Sequence, residues 1–206
     1  MSSEKSNNKV IIVGNSCCLL EKENGYKIDE FDVVIRFNGY RIINYEKHVG
    51  SKIDISCFGI QGPSAVDSMI RSNYIKKNIQ KSNKIWFPIF KPKARHQINF
   101  IKKMEIDSDN ICYITKEIKE NLLSKLKKHG CICRKGNGPT TGMYIIEKAL
   151  DVYKNSEIYI TGFDPIKKHT YSHYWTPKNT HYSHSTLKAE DGLINEYLEK
   201  GTLKLL

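Results

Sequence analysis

Four of the seven histidines fall between residues 169 and 184: His169, His173, His181 and His184, interleaved with Tyr171, Tyr174, Trp175 and Tyr182. An imidazole titrates near neutral pH, so such a cluster suits general acid–base chemistry, the preferred reading. Two others stand beside it. The three- and four-residue spacings match zinc ligation, but no nearby carboxylate or thiolate completes a ligand set. The segment also has the polar, Pro177-containing character of a loop whose histidines need no function.

A second set of polar residues follows short apolar runs: Gly14-Asn15-Ser16, Arg36-Phe37-Asn38-Gly39 and Gly162-Phe163-Asp164. A fourth, Pro139-Thr140-Thr141-Gly142, opens a helical stretch, where backbone N–H groups and the helix dipole favour an anion. Any one of these reads equally as a turn. Together they outline a nucleotide or sugar-nucleotide pocket. Gly14-Asn15-Ser16-Cys17 has neither dinucleotide-fingerprint spacing nor the Lys-Ser/Thr of a P-loop. Asp107-Ser108-Asp109 fits an Asp-x-Asp metal pair on paper, yet it precedes a strand, so it reads as a solvated turn. A metal-free mechanism is favoured.

The elements that must carry these residues alternate. Strands are predicted at Val10–Val13, Val33–Phe37, Ile53–Phe58, Ile85–Ile89, Ile111–Ile114 and Glu157–Thr161, with a last short run at Leu203–Leu206. Helices are predicted at Ser64–Ile79, Ala94–Met104, from Thr115 to near Gly130, Thr140–Tyr153 and Ala189–Lys200. Strand–helix alternation with short, apolar strands specifies an α/β fold: a single Rossmann-like domain, with a mainly parallel sheet flanked by helices. No repeat or linker divides the chain, so residues 9–206 form the domain behind a disordered tail, residues 1–8. In such sheets ligands sit beyond the carboxyl ends of the strands, where three of the four polar clusters lie.

Composition bounds the rest. The chain has 206 residues, 39% hydrophobic and 27% charged, which suits one globular core. No apolar run approaches the roughly 20 residues needed to span a bilayer, and the polar first eight residues are not a secretory signal. The net charge of +11 points towards an anionic ligand. It argues less for nucleic acid, because only Arg36, Arg41, Arg71, Arg95 and Arg134 are arginines, and arginine is the preferred base and phosphate reader. The abundance of Lys, Asn and Ile also follows A/T-rich codons. The six cysteines form no C-x-x-C pair and there is no N-x-S/T sequon, so a reducing, cytoplasmic setting is expected, with peripheral membrane association as a variant.

The same residues resemble known motifs. Val13-Gly14-Asn15-Ser16, Ile28-Asp29, Val34-Ile35-Arg36-Phe37-Asn38 and Val49-Gly50-Ser51-Lys52 with Asp54 resemble the long sialyl motif of glycosyltransferase family 29. Pro139-Thr140-Thr141-Gly142-Met143 through Ile158-Tyr159-Ile160-Thr161-Gly162-Phe163 resembles the short motif. His173-Tyr174-Trp175 resembles the third motif, and His184 with Glu190 the very short one. The tail from His181 is also similar to the bacterial lipooligosaccharide sialyltransferases of family 42. There are departures. Five residues rather than four separate His184 from Glu190, Thr176 replaces an acidic residue, and Val10 and Tyr153 stand where animal enzymes carry a disulfide. No anchor or stem is expected before the domain.

The resemblance implies a GT-A-like fold variant without a metal-binding Asp-x-Asp. It implies inverting transfer of sialic acid from CMP-sialic acid to a glycan hydroxyl, galactose-terminated acceptors being candidates, with no cofactor. His184 would be the base, with His181 as the substitute, and His173 and Tyr174 would meet the charge on the leaving phosphate. Asn15, Ser16 and Asn38 would bind ribose and phosphate, and Gly162, Phe163 and Asp164 the cytidine. Thr140, Thr141 and Gly142 would offer hydroxyls and a helix N-terminus to the sialate carboxylate. A CMP-Kdo transferase, a non-catalytic CMP- or glycan-binding module and a basic nucleic-acid binder are the rivals.

Overall fold

The computed structural model describes residues 8–59, 63–88, 95–132, 138–163, 170–171, 173–176, 182–183 and 185–206. Residues 1–7 of the expected tail lie outside them. Strands β1 (Lys9–Val13), β2 (Val33–Phe37), β3 (Ile55–Cys57), β4 (Lys84–Phe87), β5 (Ile111–Tyr113), β6 (Glu157–Thr161) and β9 (Lys204–Leu205) form one sheet, and β7 (Thr170–Tyr171) pairs with β8 (Tyr182–Ser183). The helices are α1 (Gly25–Asp29), α2 (Glu46–Val49), α3 (Pro63–Ile70), α4 (Asn73–Lys81), α5 (Arg95–Lys103), α6 (Lys116–Lys128), α7 (Thr141–Val152) and α8 (Leu187–Glu199).

Among the described residues the sheet runs β5-β4-β3-β2-β1-β6-β9, every pairing parallel. The chain winds outward from β1 to β5, then returns to place β6 on the other side of β1. That reversal makes the β1–β6 boundary the switch point of the sheet.

Strand periodicity assigns the two faces. Val10, Ile12, Ile35, Phe37, Ile55, Cys57 and Trp86 pack with Leu122, Leu126, Met143, Ile146, Leu193 and Tyr197 from α6, α7 and α8. Alternate residues supply the other layer: Ile11, Val13 and Val34 meet Leu19, Ile28, Val49 and Tyr174, while Ile85 and Phe87 meet Ile75, Ile79, Phe100 and Met104. Val10 and Tyr153 lie in the same apolar cluster, so hydrophobic contact occupies that position here.

Arg36 shares the second face and is fully buried. Its Nε donates to the Lys52 carbonyl at 2.9 Å and its Nη2 to the Val49 carbonyl at 2.6 Å. Asp29 accepts from the Ser51 and Lys52 N–H groups, and Asp54 from the Val34 N–H at 2.8 Å. Asp29, Ser51, Lys52 and Asp54 therefore brace β2 from behind rather than reach the strand ends. Buried Glu147 of α7 takes Lys125 of α6 at 2.7 Å and the Tyr197 hydroxyl of α8, joining three helices.

The sequence reading differs in places. The single helix expected over Ser64–Ile79 is two, because the backbone turns extended at Ser72 and α4 restarts there. Ile53–Phe58 shortens to Ile55–Cys57. The short helices α1 and α2 lack the length to show periodicity, and neither was expected. Asp107 caps a 3-10 turn by accepting from the Asp109 N–H, at the amino end of β5 and so away from the carboxyl edge.

At the switch point the backbones come unusually close. A Cβ on Gly14 would lie 2.1 Å from the Gly162 carbonyl oxygen. Gly14→Ala is expected to lower unfolding free energy by roughly 1–3 kcal/mol through forced separation of β1 and β6. A urea midpoint equal to wild type would show that this approach is not required.

Candidate active site

Pairing of β1 with β6 continues past both strands: the Gly14 N–H donates to the Thr161 carbonyl at 2.7 Å and the Ser16 N–H to the Gly162 carbonyl at 2.9 Å. Gly162 adopts φ +71°, a left-handed conformation that glycine tolerates, against Leu19. Asn15 is thereby buried at the end of β1. Its Nδ2 donates to the Phe37 carbonyl at 3.0 Å, while its Oδ1 is buried with no hydrogen-bond partner. An orphaned buried acceptor is costly, by roughly 1–3 kcal/mol, and calls for an O–H or N–H donor. The Ser16 hydroxyl accepts from the Cys18 N–H, capping the 3-10 turn Cys17–Glu21.

Asn38, just past β2, has φ 58°, a region asparagine enters more readily than most residues. Its N–H extends the ladder to the Cys57 carbonyl at 2.7 Å, and its Oδ1 accepts from the Gly59 N–H at 3.0 Å. With that oxygen engaged, the amide presents its NH2 donors. The two asparagines thus carry opposite polarity: Asn15 offers an acceptor, Asn38 a donor.

Thr141 closes on the same point, because a Cβ on Gly59 would lie 2.1 Å from Thr141 Oγ1. Gly142 makes room for the Phe163 ring, which would stand 3.0 Å from a Cβ there. Phe163 in turn packs on Phe37 with ring centroids 5.8 Å apart.

Thr140 behaves differently from the expectation. Buried Glu190 accepts from the Thr140 N–H at 2.8 Å, from its hydroxyl at 2.6 Å, and from the Thr186 hydroxyl at 2.5 Å. The carboxylate of α8 therefore already occupies the first donors at the N-terminus of α7. Thr140 is a cap held by an internal anion, and the Thr141 hydroxyl is what remains for a ligand at that corner.

The loop from His173 to Thr176 lies against the end of β1. Ser16 and His173 form an antiparallel bridge, and the Tyr174 N–H donates to the Asn15 carbonyl at 3.1 Å. His173 stacks on Trp175 at 4.6 Å, and burial lowers its pKa below the ordinary 6.5, so it is neutral at pH 7. Tyr174 does not fit a role as donor to a phosphate. Its hydroxyl donates to the Arg41 carbonyl and accepts from the Arg41 N–H, and burial pushes its pKa well up. Asp164, His169, His181 and His184 lie outside the described residues.

The structure thus brings Asn15, Ser16, Asn38, Thr141, Gly142, Gly162, Phe163 and His173 to one edge, with Thr140 and Tyr174 as their supports. Gly59 joins them as a position not assigned to the nucleotide. Its only sequence signal is a glycine directly after a strand-like run. Among the described residues no group of three or more His, Cys, Asp or Glu side chains could hold a metal ion, and no helix is long and apolar enough to cross a membrane.

The model of the family described as glycosyltransferase family 29 (sialyltransferase) matches residues 2–202. A rat CMP-N-acetylneuraminate-beta-1,4-galactoside alpha-2,3-sialyltransferase is 26% identical over 188 residues, covering 81% of this chain and 48% of that protein. The human protein of the same name is 46% identical over 44 residues, covering 21% of this chain and 12% of its own. The chain spans at most about half the length of these relatives. A solved mammalian sialyltransferase superposes with TM-score 0.65 at 18% identity, covering 98% of this chain and 71% of that one. The sialyltransferase CstII from Campylobacter jejuni, solved with CMP-3FNeuAc, gives TM-score 0.58 at 19% identity, with 96% and 80% covered.

Two outcomes follow from the site's construction. Glu190→Ala, which removes the acceptor of two threonine hydroxyls and an N–H, should destabilise the fold by about 1–3 kcal/mol, and Glu190→Gln by less, as urea titration would show. Equal losses in both would remove the carboxylate from this role. His173 binds a proton less readily folded than unfolded, so its contribution to stability is lost as pH falls below 6.5. A His173 imidazole titrating at or above 6.5 by NMR would contradict its burial.

Proposed function

The chain belongs to glycosyltransferase family 29, the sialyltransferases, and from that premise we propose that it transfers sialic acid from CMP-sialic acid to a hydroxyl of an acceptor glycan. The observation that carries this reading is the opposed polarity of Asn15 and Asn38 at adjacent strand ends. The Asn15 Oδ1 calls for a donor, which a ribose hydroxyl supplies. The Asn38 NH2 suits an acceptor, which a phosphate oxygen supplies. A nucleoside monophosphate carries both groups close together.

Transfer requires two further things from the chain. The acceptor hydroxyl must lose its proton as it attacks the anomeric carbon, with inversion there, and His184 is assigned as the base. The departing CMP phosphate gains negative charge, and a neutral His173 beside Ser16 can donate an N–H to it. The Thr141 hydroxyl supplies a neutral donor for the sialate carboxylate, while Glu190 holds the start of α7 in place. Gly162 and Phe163, next to Asn15, form the cytidine side, with Asp164 assigned to the ribose. No step in this scheme uses a metal ion.

The test is release of CMP from CMP-sialic acid, measured with an acceptor panel, a water-only control and CMP-Kdo as alternative donor. Acceptor-dependent release from CMP-sialic acid supports the proposal, and release from CMP-Kdo alone overturns its donor. Asn15→Ala and Asn38→Ala should each reduce kcat/KM about 10-fold or more through lost polar contacts. His184→Ala should lower turnover by about 10²-fold or more with CMP binding kept; near-normal turnover would move the base to His181. EDTA should leave the rate unchanged, and a strong loss would revive a metal at the histidine cluster.

A further inference from the structure

Beyond Asn38 the chain builds a second polar feature that the donor site does not use. Arg41 is exposed, yet its guanidinium carbon lies 5.4 Å from the Tyr74 ring and 6.0 Å from the Trp175 ring. Its backbone is fixed from both sides by the buried Tyr174 hydroxyl. Three separate segments, the loop after β2, the start of α4 and the His173–Thr176 loop, converge to hold this one cation. Among the described residues it has no carboxylate partner.

We propose that Arg41, framed by Tyr74 and Trp175, is a recognition site for the carboxylate of an acidic sugar on the acceptor glycan. The guanidinium is a planar fork matched to a carboxylate, and stacking on aromatic faces fixes it in advance. Residue choice points the same way. Of 33 basic residues only five are arginine, so an arginine framed by two aromatic rings is a departure from the lysine-rich background. The position is continuous with the site: a Cβ on Gly39, the residue after Asn38, would lie 3.6 Å from the Tyr74 hydroxyl and 3.7 Å from Trp175. Trp175 also carries the His173 ring on its face.

A carboxylate could reach Arg41 from the acceptor or from the donor's own sialate. The geometry favours the acceptor. Arg41 stands over both Tyr74 of α4, which lies between β3 and β4, and Trp175, whereas Asn15, Gly162 and Phe163 lie on the β1–β6 side.

The identification of the glycan as acceptor rests on the transferase reading, but the test needs no turnover, so failure of one is distinguishable from failure of the other. Calorimetric titration of the CMP-loaded protein with 3′-sialyllactose and with lactose should show at least about 10-fold tighter binding of the acidic glycan. Arg41→Gln should abolish that preference, and Lys119→Gln, an exposed charge on α6, should retain it. A preference retained by Arg41→Gln, or its absence in wild type, overturns the proposal. So does an Arg41→Gln variant that instead weakens CMP-3FNeuAc relative to CMP, since the carboxylate at Arg41 would then be the donor's. Binding that follows this pattern without acceptor-dependent CMP release would keep the recognition site and reject the transferase.

Discussion

The approach of Gly14 to Gly162 sets the spacing of everything above the sheet. Two parallel strands without side chains at their exits continue to hydrogen-bond after the strands end, through Gly14 to Thr161 and Ser16 to Gly162. That extension carries Asn15 into the interior, where its amide reaches sideways to the Phe37 carbonyl at the end of β2. Three strand ends are locked into one rim. The His173 loop then attaches to that rim through the Asn15 and Ser16 backbones, so a displacement of β1 from β6 would propagate to each functional position.

Charge is distributed in an instructive way around this rim. The buried ions serve construction: Arg36 is spent on the carbonyls of Val49 and Lys52, Glu147 on joining three helices, and Glu190 on the N-terminus of α7. Removing one partner of such an ion strands the rest, which makes these positions sensitive to substitution for structural reasons. Among the described residues, what faces the crevice is mostly neutral: two asparagine amides, a threonine hydroxyl and an imidazole kept neutral by its burial. Neutral donors discriminate a ligand by position and polarity. The large positive charge of the chain is carried mainly by lysines and does not define the site.

Much of this was legible in the sequence, and the boundary has a physical origin. Strands such as Val33–Phe37 announce themselves through apolar runs that end in Asn and Gly, and the carboxyl-end rule then places Asn15, Asn38 and Gly162 together. Residues whose role depends on a partner far along the chain were not legible. Nothing local to Glu190 says that it caps a helix starting 50 residues earlier, and nothing near Tyr174 says that its hydroxyl closes on the backbone of Arg41, 133 residues away. Sequence reading therefore gave Thr140 and Tyr174 to the ligand, whereas the fold uses both as supports. The break between α3 and α4 was hidden because apolar residues continue across Arg71–Ser72 in helical spacing.

The central claim is that a CMP moiety sits in the crevice where β1, β2 and β6 end. Its most direct test is an NMR titration of the isotope-labelled protein with CMP. The largest shifts are expected at the Asn15 and Asn38 side-chain amides and at the backbone amides of Ser16, Gly59 and Gly162. Shifts confined to the opposite edge, around Asp107 to Asn110, or no shifts at saturating CMP, would contradict it.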